Sequence, residues 1–373
     1  MKIGIPKEII SQEYRVSINP ETAKMLLQSS HELYVQSGAG QDSGYNDEDY
    51  SSLGCTIVDS ASEVFDRSEL IVKVKEPSLE EVEMLSNKVI FTYLHLSSSK
   101  ELTQKLMECN VTGLAYETVV INNQTPMLKP MSEIAGRLSL LDSIELLKKS
   151  KGGKGKLIAG TSLANPANVL IIGGGIVGLN AMQMSLGLGA STTLLDVNNE
   201  LLNDIKSRYP AVNVGESSKQ VIEGILPMID IVVGAVLTPG GKPPTVITRD
   251  MLSLMEPKSI LSDVSVDQGG CFETSKPTTH GNPTYEVDNI IHYCVKNIPS
   301  AVPFTATNAL NEATKPFIHK FANSGLHGLF DDEKLLMALN TFNGKLTNEE
   351  VAIAHSLESV SYTHLTLPTN REV

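Results

Sequence analysis

The segment Asn168-Val-Leu-Ile-Ile-Gly-Gly-Gly-Ile-Val-Gly178 restricts what this chain can fold into more than any other stretch. Its apolar, β-branched run reads as a buried strand. The run stops at Gly173, and the spacing Gly173-x-Gly175-x-x-Gly178 predicts a tight turn into a helix. The first glycine allows the turn, the second lets backbone approach a pyrophosphate, and the third lets helix and strand pack closely. Free N–H groups at the helix start favour phosphate. A glycine-rich turn alone is common, but here a second apolar strand follows, Thr192-Thr-Leu-Leu-Asp196, and Asp196 lies 23 residues after Gly173. A spacing of roughly 20 is expected for an acid that binds a ribose 2′-OH. A carboxylate there repels a 2′-phosphate, so the motif predicts NAD rather than NADP.

The 373 residues leave room for about two domains. A net charge of −13 argues against nucleic acid or an anionic membrane as partner, since both require a basic face. Cys55, Cys109, Cys271 and Cys294 are widely spaced with no CxxC pair, which reads as reduced thiols and gives no zinc site. The start, Met1-Lys-Ile-Gly-Ile-Pro-Lys-Glu, lacks a long apolar stretch, so no secretory leader is expected and the cytoplasm is the expected location. Val169 to Ala190 is apolar enough to suggest a membrane span, but its glycines fit a strand, turn and helix better.

Along the first 130 residues, strand-like and helix-like segments alternate, which predicts an α/β domain. Lys2–Ile5, Glu32–Gln36, Leu70–Val74 and Val89–Leu94 read as strands, and Pro20–Gln28 as a helix with Asn19 as N-cap. Met131–Lys149 reads as a long helix and Ser150–Lys156 as a basic glycine-rich loop. Beyond the glycine turn, strands are expected near 212–214, 229–233, 260–264 and 290–294, and helices from about Thr305. The expected fold class is therefore α/β: a Rossmann-type doubly wound parallel sheet, residues 131–304, inserted into a second α/β substrate domain, residues 1–130 and 305–359. C-terminal helices complete that second domain, and the active site is expected in the cleft between. The last stretch, Val360-Ser-Tyr-Thr-His-Leu-Thr-Leu-Pro-Thr-Asn-Arg-Glu-Val373, resembles a translated sequencing-library adapter and is read as an assembly artefact.

A nicotinamide cofactor calls for an anion clamp on the substrate and an acid/base beside it. Lys73 and Lys75 lie two apart, so a strand would put them on one face, with Lys75-Glu-Pro77 at its end. His95 ends the apolar run Phe91-Thr-Tyr-Leu-His95, a place for a proton carrier or for a satisfied core histidine. Asp267 follows another apolar strand and precedes Gly269 and Gly270, which would allow close backbone approach or make a plain turn. Arg15 has the fork to grip a carboxylate, yet nothing local separates it from a surface arginine.

These stretches together resemble the alanine dehydrogenase family over about residues 1–357. The resemblance is carried by Met1–Glu8 with Arg15-Val, Gly38-Ala-Gly-Gln-Asp-Ser-Gly44 and Val72-Lys-Val-Lys-Glu-Pro77. It extends through Phe91–Leu96, Gly113-Leu-Ala-Tyr-Glu-Thr118, Pro130-Met-Ser-Glu-Ile-Ala-Gly-Arg137 and Gly234–Gly240 to Asp267-Gln-Gly-Gly-Cys271 and His292–Asn297. It implies reversible NAD-dependent oxidative deamination of L-alanine to pyruvate and ammonia. Arg15 and Lys75 would hold the substrate carboxylate, with Met131 and Asn297 lining the pocket. His95 would be the acid/base and Asp267 would assist proton transfer. Ser132 would touch the cofactor phosphates, and Asp196 the ribose, beside Gly173, Gly175 and Gly178. The resemblance further implies a homohexamer. Other readings are the NAD-binding subunit of a transhydrogenase, an opine- or saccharopine-type dehydrogenase, and a catalytically inactive NAD-binding protein.

Overall fold

A computed structural model of the protein describes residues 1–237 and 243–361. The end of the Gly234–Gly240 string and most of the adapter-like tail lie outside the described residues. Among the described residues the first strands are β1 (Lys2–Ile5), β2 (Glu32–Gln36), β3 (Thr56–Val58), β4 (Leu70–Val72), β5 (Val89–Thr92) and β6 (Thr112–Ala115). Next come β7 (Asn168–Ile172), β8 (Ser191–Asp196), β9 (Asn213–Glu216), β10 (Ile231–Gly234), β11 (Ile260–Asp263), β12 (Thr284–Val287) and β13 (Ile290–Tyr293). β14 (Leu339–Phe342) and β15 (Lys345–Leu346) come last. The chain divides into two compact units, Met1–Met131 with residues from Ser300 onward, and Ser132–Pro299.

The unit 132–299 has strand order β12-β13-β11-β10-β7-β8-β9. All neighbours are parallel except β12, which is antiparallel to β13. The chain winds out from β7 through β8 to β9, then returns to the other side of β7 as β10. This is the doubly wound arrangement, with its direction reversing between β7 and β10. Val169 and Ile171 pack with Ile231 and Val233 in one core, whereas Leu170 and Ile172 pack with Val232 and Leu261 in the other. Both faces are covered, which is why β7 reads as a continuous apolar run rather than an alternating one. Among the described residues no helix is long and apolar enough to cross a membrane.

The other unit repeats the winding. Its order is β15-β14-β6-β5-β4-β1-β2-β3, with β1 to β6 all parallel and a reversal between β1 and β4. Asn19 caps the helix Pro20–Gln28 as read, accepting from Thr22 N at 2.9 Å. Two strands end sooner than the sequence reading had them. Glu8 Oε1 takes the Val74 amide at 2.6 Å, and Glu117 Oε1 takes the Leu94 amide at 3.1 Å. Carboxylates thus replace ladder partners just past β4 and β5.

The returning chain supplies the helices Pro303–Phe330 and Glu349–His355, and also something the sequence reading omitted. β14 pairs antiparallel with β6, and β15 pairs antiparallel with β14. Asn343 and Gly344 make the turn at φ 49° and 70°. Asn-Gly between two short strands is a strong hairpin signal.

Candidate functional site

The glycine turn lies at the reversal point of the unit 132–299. Gly173 has φ 103°, and a Cβ there would lie 2.5 Å from the Ala235 carbonyl oxygen. A Cβ on Gly178 would lie 1.8 Å from the Gly173 oxygen. Packing therefore demands both outer glycines. Gly175 differs: a Cβ there would meet nothing within 4 Å. It is the N-cap of the helix Ile176–Gly187, and no side chain caps that end. Open space thus borders an uncapped helix N-terminus, the form of cradle that accepts a pyrophosphate. Asp196, ending β8, accepts from Gly174 N at 2.6 Å and Asn198 N at 2.8 Å. Its carboxylate is held beside the turn, so these residues fit a dinucleotide. Ser132 is half-buried at the start of this unit.

Past β11 in the same unit, buried Asp263 accepts from Ser265 N and Cys271 N, each at 2.9 Å. This ties down the short 3₁₀ turn Val264–Gln268 and leaves Asp267 exposed upon it. Gly269 and Gly270 follow at φ 101° and 77°, conformations that side chains resist. Asp267 Oδ2 lies 3.4 Å from Asn297 N, so these two residues are brought together. Asn297 itself has φ 55°.

In the unit containing β1 to β6, the chemistry-bearing side chains gather past the C-terminal ends of strands near the reversal of β1 and β4, where parallel sheets place function. Arg15 is buried, not a surface arginine. Its Nε and Nη2 donate to Glu13 Oε1 and Oε2 at 2.7 and 2.6 Å, and its Nη1 lies 3.0 Å from Met131 Sδ. Burial disfavours the guanidinium charge, but Glu13 outweighs that and holds the group more firmly protonated than usual. Glu13 occupies one edge of the fork and Met131 Sδ meets Nη1.

Lys73 and Lys75 do not share an environment, contrary to the strand reading. β4 stops at Val72, so the two-residue alternation does not carry through both lysines. Lys73 is fully buried, 2.8 Å from Glu81 Oε1 and 3.5 Å from Glu8 Oε2. Burial opposes its charge, yet Glu8 and Glu81 raise its pKa overall. It is a structural ion. Lys75 is partly exposed, 3.6 Å from Glu76 Oε2. The same Glu76 oxygen lies 3.0 Å from His95 Nδ1. Burial alone would raise the Glu76 carboxyl, but the His95 hydrogen bond and the Lys75 charge pull it down to about 2. Structure thus groups Lys75 with His95, and Arg15 with Met131. Sequence reasoning missed Glu8, Glu13, Glu76 and Glu117, which hold these residues. Glu76 and Glu117 were visible as acids beside strand-end motifs, but a carboxylate's partner is a tertiary fact.

Comparison with known proteins points the same way. The family models "Alanine dehydrogenase/PNT, N-terminal domain" and "Alanine dehydrogenase/PNT, C-terminal domain" match residues 4–135 and 139–349. Alanine dehydrogenase of Halomonas elongata is 45% identical over 364 residues, 96% of this chain and 98% of the relative. The chain belongs to the alanine dehydrogenase family. Members are oxidoreductases with a nucleotide-binding fold, and this chain is one of them. The Methanococcus maripaludis alanine dehydrogenase is 44% identical over 96% of this chain and 97% of its own length. A solved L-alanine dehydrogenase superposes with TM-score 0.92 at 41% identity, over 95% of this chain and 99% of that one. The transhydrogenase of Sinorhizobium meliloti, 20% identical with TM-score 0.80, shares the fold.

Proposed function

We propose that the chain catalyses the reversible NAD-dependent oxidative deamination of L-alanine to pyruvate and ammonia. The observation that carries the cofactor half of this reading is the vacant surround of Gly175 between two glycines that packing demands. Gly173, Gly175, Gly178 and Ser132 would hold the pyrophosphate, and Asp196 the adenosine ribose, selecting NAD over NADP. NAD, once bound, supplies the acceptor for the hydride lost from the substrate Cα.

The chain's own residues do the rest. Arg15 and Lys75 bind the substrate carboxylate. Met131 and Asn297 line the pocket and bound the side chain. His95 takes the amine proton as the carbon is oxidised, and returns a proton on the reverse path. The resulting imine is attacked by water, which Asp267 orients and deprotonates; the carbinolamine so formed collapses to pyruvate as its C–N bond breaks and the protonated nitrogen leaves as ammonia. Holding the carboxylate removes rotational freedom before reaction, a contribution that reaches about 7–11 kcal/mol in favourable cases.

The direct test is an assay in both directions, with L-alanine and NAD, then with pyruvate, ammonia and NADH. His95→Ala and Lys75→Ala should lose turnover while keeping near-normal NADH binding by fluorescence titration. Near-normal turnover in either variant removes that residue from its role. Higher activity with NADP than with NAD would remove Asp196 from its role. We further propose a cytoplasmic homohexamer; light scattering on the full chain and on residues 1–359 tests the assembly and the contribution of the tail.

A further inference from the structure

His95 is held from three sides by groups with no assigned part in the chemistry. Its backbone has φ 47°, the left-handed region that a residue with a Cβ seldom adopts. Glu117 maintains it: one carboxylate oxygen accepts from His95 N at 2.7 Å and from Leu94 N at 3.1 Å, and the other lies 3.3 Å from Leu94 N. The imidazole stacks on the Tyr93 ring, with centroids 5.8 Å apart at 17°. Tyr93 is anchored in turn, its hydroxyl donating to the Met127 carbonyl at 2.6 Å. On the ring edge, Nδ1 meets Glu76 Oε2 at 3.0 Å.

An ionised carboxylate can only accept a hydrogen bond, so a ring nitrogen facing it must carry the proton. We propose that Glu76 is the positioning residue for His95, holding the neutral ring with its proton on Nδ1 and leaving Nε2 as the atom that exchanges a proton with substrate. Glu117 sets the backbone from which the ring projects. The proposal rests on the reading of His95 as the acid/base. It follows the logic by which an acid, a histidine and a reacting group are arrayed in hydrolases, where the acid orients the ring without becoming protonated. Glu76 fits that part because its carboxyl is held down at about 2, mainly against the opposing effect of burial, by His95 and Lys75. It stays anionic throughout neutral pH and is no proton relay.

The surroundings are consistent with this division. Glu76 reaches the ring from beyond β4 and Tyr93 from beyond β5, while Lys75 pairs with Glu76 and Glu117, from beyond β6, holds the His95 backbone. Glu101, from the helix Lys100–Glu108, lines a depression shared with Glu76 and His95. That depression, about 260 Å³, gives water a way to the pair. A plain surface ion pair would hold the same two groups together without affecting turnover, and this is the alternative the experiment must separate.

The experiment compares the full-length chain with its His95→Ala, Glu76→Gln and Glu76→Ala variants, measuring kcat, the KM for pyruvate and NADH affinity. The ¹⁵N resonances of the His95 ring report its tautomer. Glu76→Ala should lower kcat about 10- to 100-fold, within the roughly 10²- to 10⁴-fold that a general acid/base supplies. The NADH affinity should stay within about twofold, and the KM for pyruvate should rise less than kcat falls, because Glu76 touches neither ligand and acts on the carboxylate clamp only through Lys75. Glu76→Gln should recover part of the loss, since its amide oxygen still accepts from Nδ1; being isosteric, it also serves if the alanine variant fails to fold. The ¹⁵N pattern should show the Nδ1–H form in the unaltered chain and a mixture in Glu76→Ala. A kcat within about threefold of normal, a loss confined to KM, or an unchanged tautomer overturns the proposal. If His95→Ala is inactive while both Glu76 variants are normal, this inference alone fails. If His95→Ala is active, the acid/base reading fails and takes the inference with it.

Discussion

At the scale of single residues, three glycines in one motif have separate causes, and substitution separates them. Gly178→Ala forces a Cβ to 1.8 Å from a backbone oxygen that cannot yield, so the helix must move and the unit 132–299 must lose stability. Gly175→Ala meets nothing, so the melting temperature should hold while NADH affinity falls. A thermal melt paired with an NADH titration distinguishes them; equal behaviour of the two variants would mean that Gly175 does not border the cofactor. Lys73 shows the opposite case, a charged residue whose task is internal. Lys73→Met leaves Glu8 and Glu81 buried without their cation and should cost about 3–5 kcal/mol in denaturant unfolding. Burial already raises the Glu8 carboxyl, with Lys73 the chief opposing influence. A carboxyl raised in the folded state contributes most below its unfolded value and loses that contribution as pH rises. The deficit of Lys73→Met should therefore be largest near neutrality and shrink on acidification.

At the scale of elements, carboxylates decide where strands stop and what stands at their ends. Asp230, just before β10, is buried; it accepts from Lys154 Nζ at 2.9 Å, Lys156 Nζ at 2.6 Å and Asn168 N at 2.8 Å. It thereby joins the start of β7 to the basic loop read from the sequence. Burial pushes its carboxyl up, but the Lys156, Asn168 and Lys154 hydrogen bonds prevail and depress it below the ordinary 3.8. A depressed carboxyl contributes stability above its unfolded value, lost as pH falls through the folded one. Asp230→Asn should cost about 1–3 kcal/mol at neutral pH, and the gap from the unaltered chain should close below about pH 3.8. A gap independent of pH would show that charge is not the cause. The β14–β15 hairpin is bound as specifically: Thr341 Oγ1 donates to the Val111 carbonyl at 2.9 Å and accepts from Gly113 N at 3.0 Å. Gly113 makes room for it, since a Cβ there would lie 2.7 Å from that oxygen.

At the scale of the whole molecule, one doubly wound unit interrupts another in sequence, and each has its own cores. Residues 132–299 should therefore fold alone and bind NADH, yet show no turnover, because Arg15, Lys75 and His95 belong to the other unit. Near-UV circular dichroism and an NADH titration on that fragment test this, and failure to fold would show that its cores do not suffice. The sequence by itself determined the glycine turn, the continuous apolar strands, the Asn19 cap and the family, because each is a local pattern of side-chain size, polarity and spacing. It could not separate Lys73 from Lys75, or Arg15 from a surface arginine. Those distinctions depend on Glu8, Glu13, Glu76 and Glu81. Whether a charge is sealed in the core or presented at a strand end is set by which opposite charge the fold brings beside it, and spacing along the chain carries no record of that.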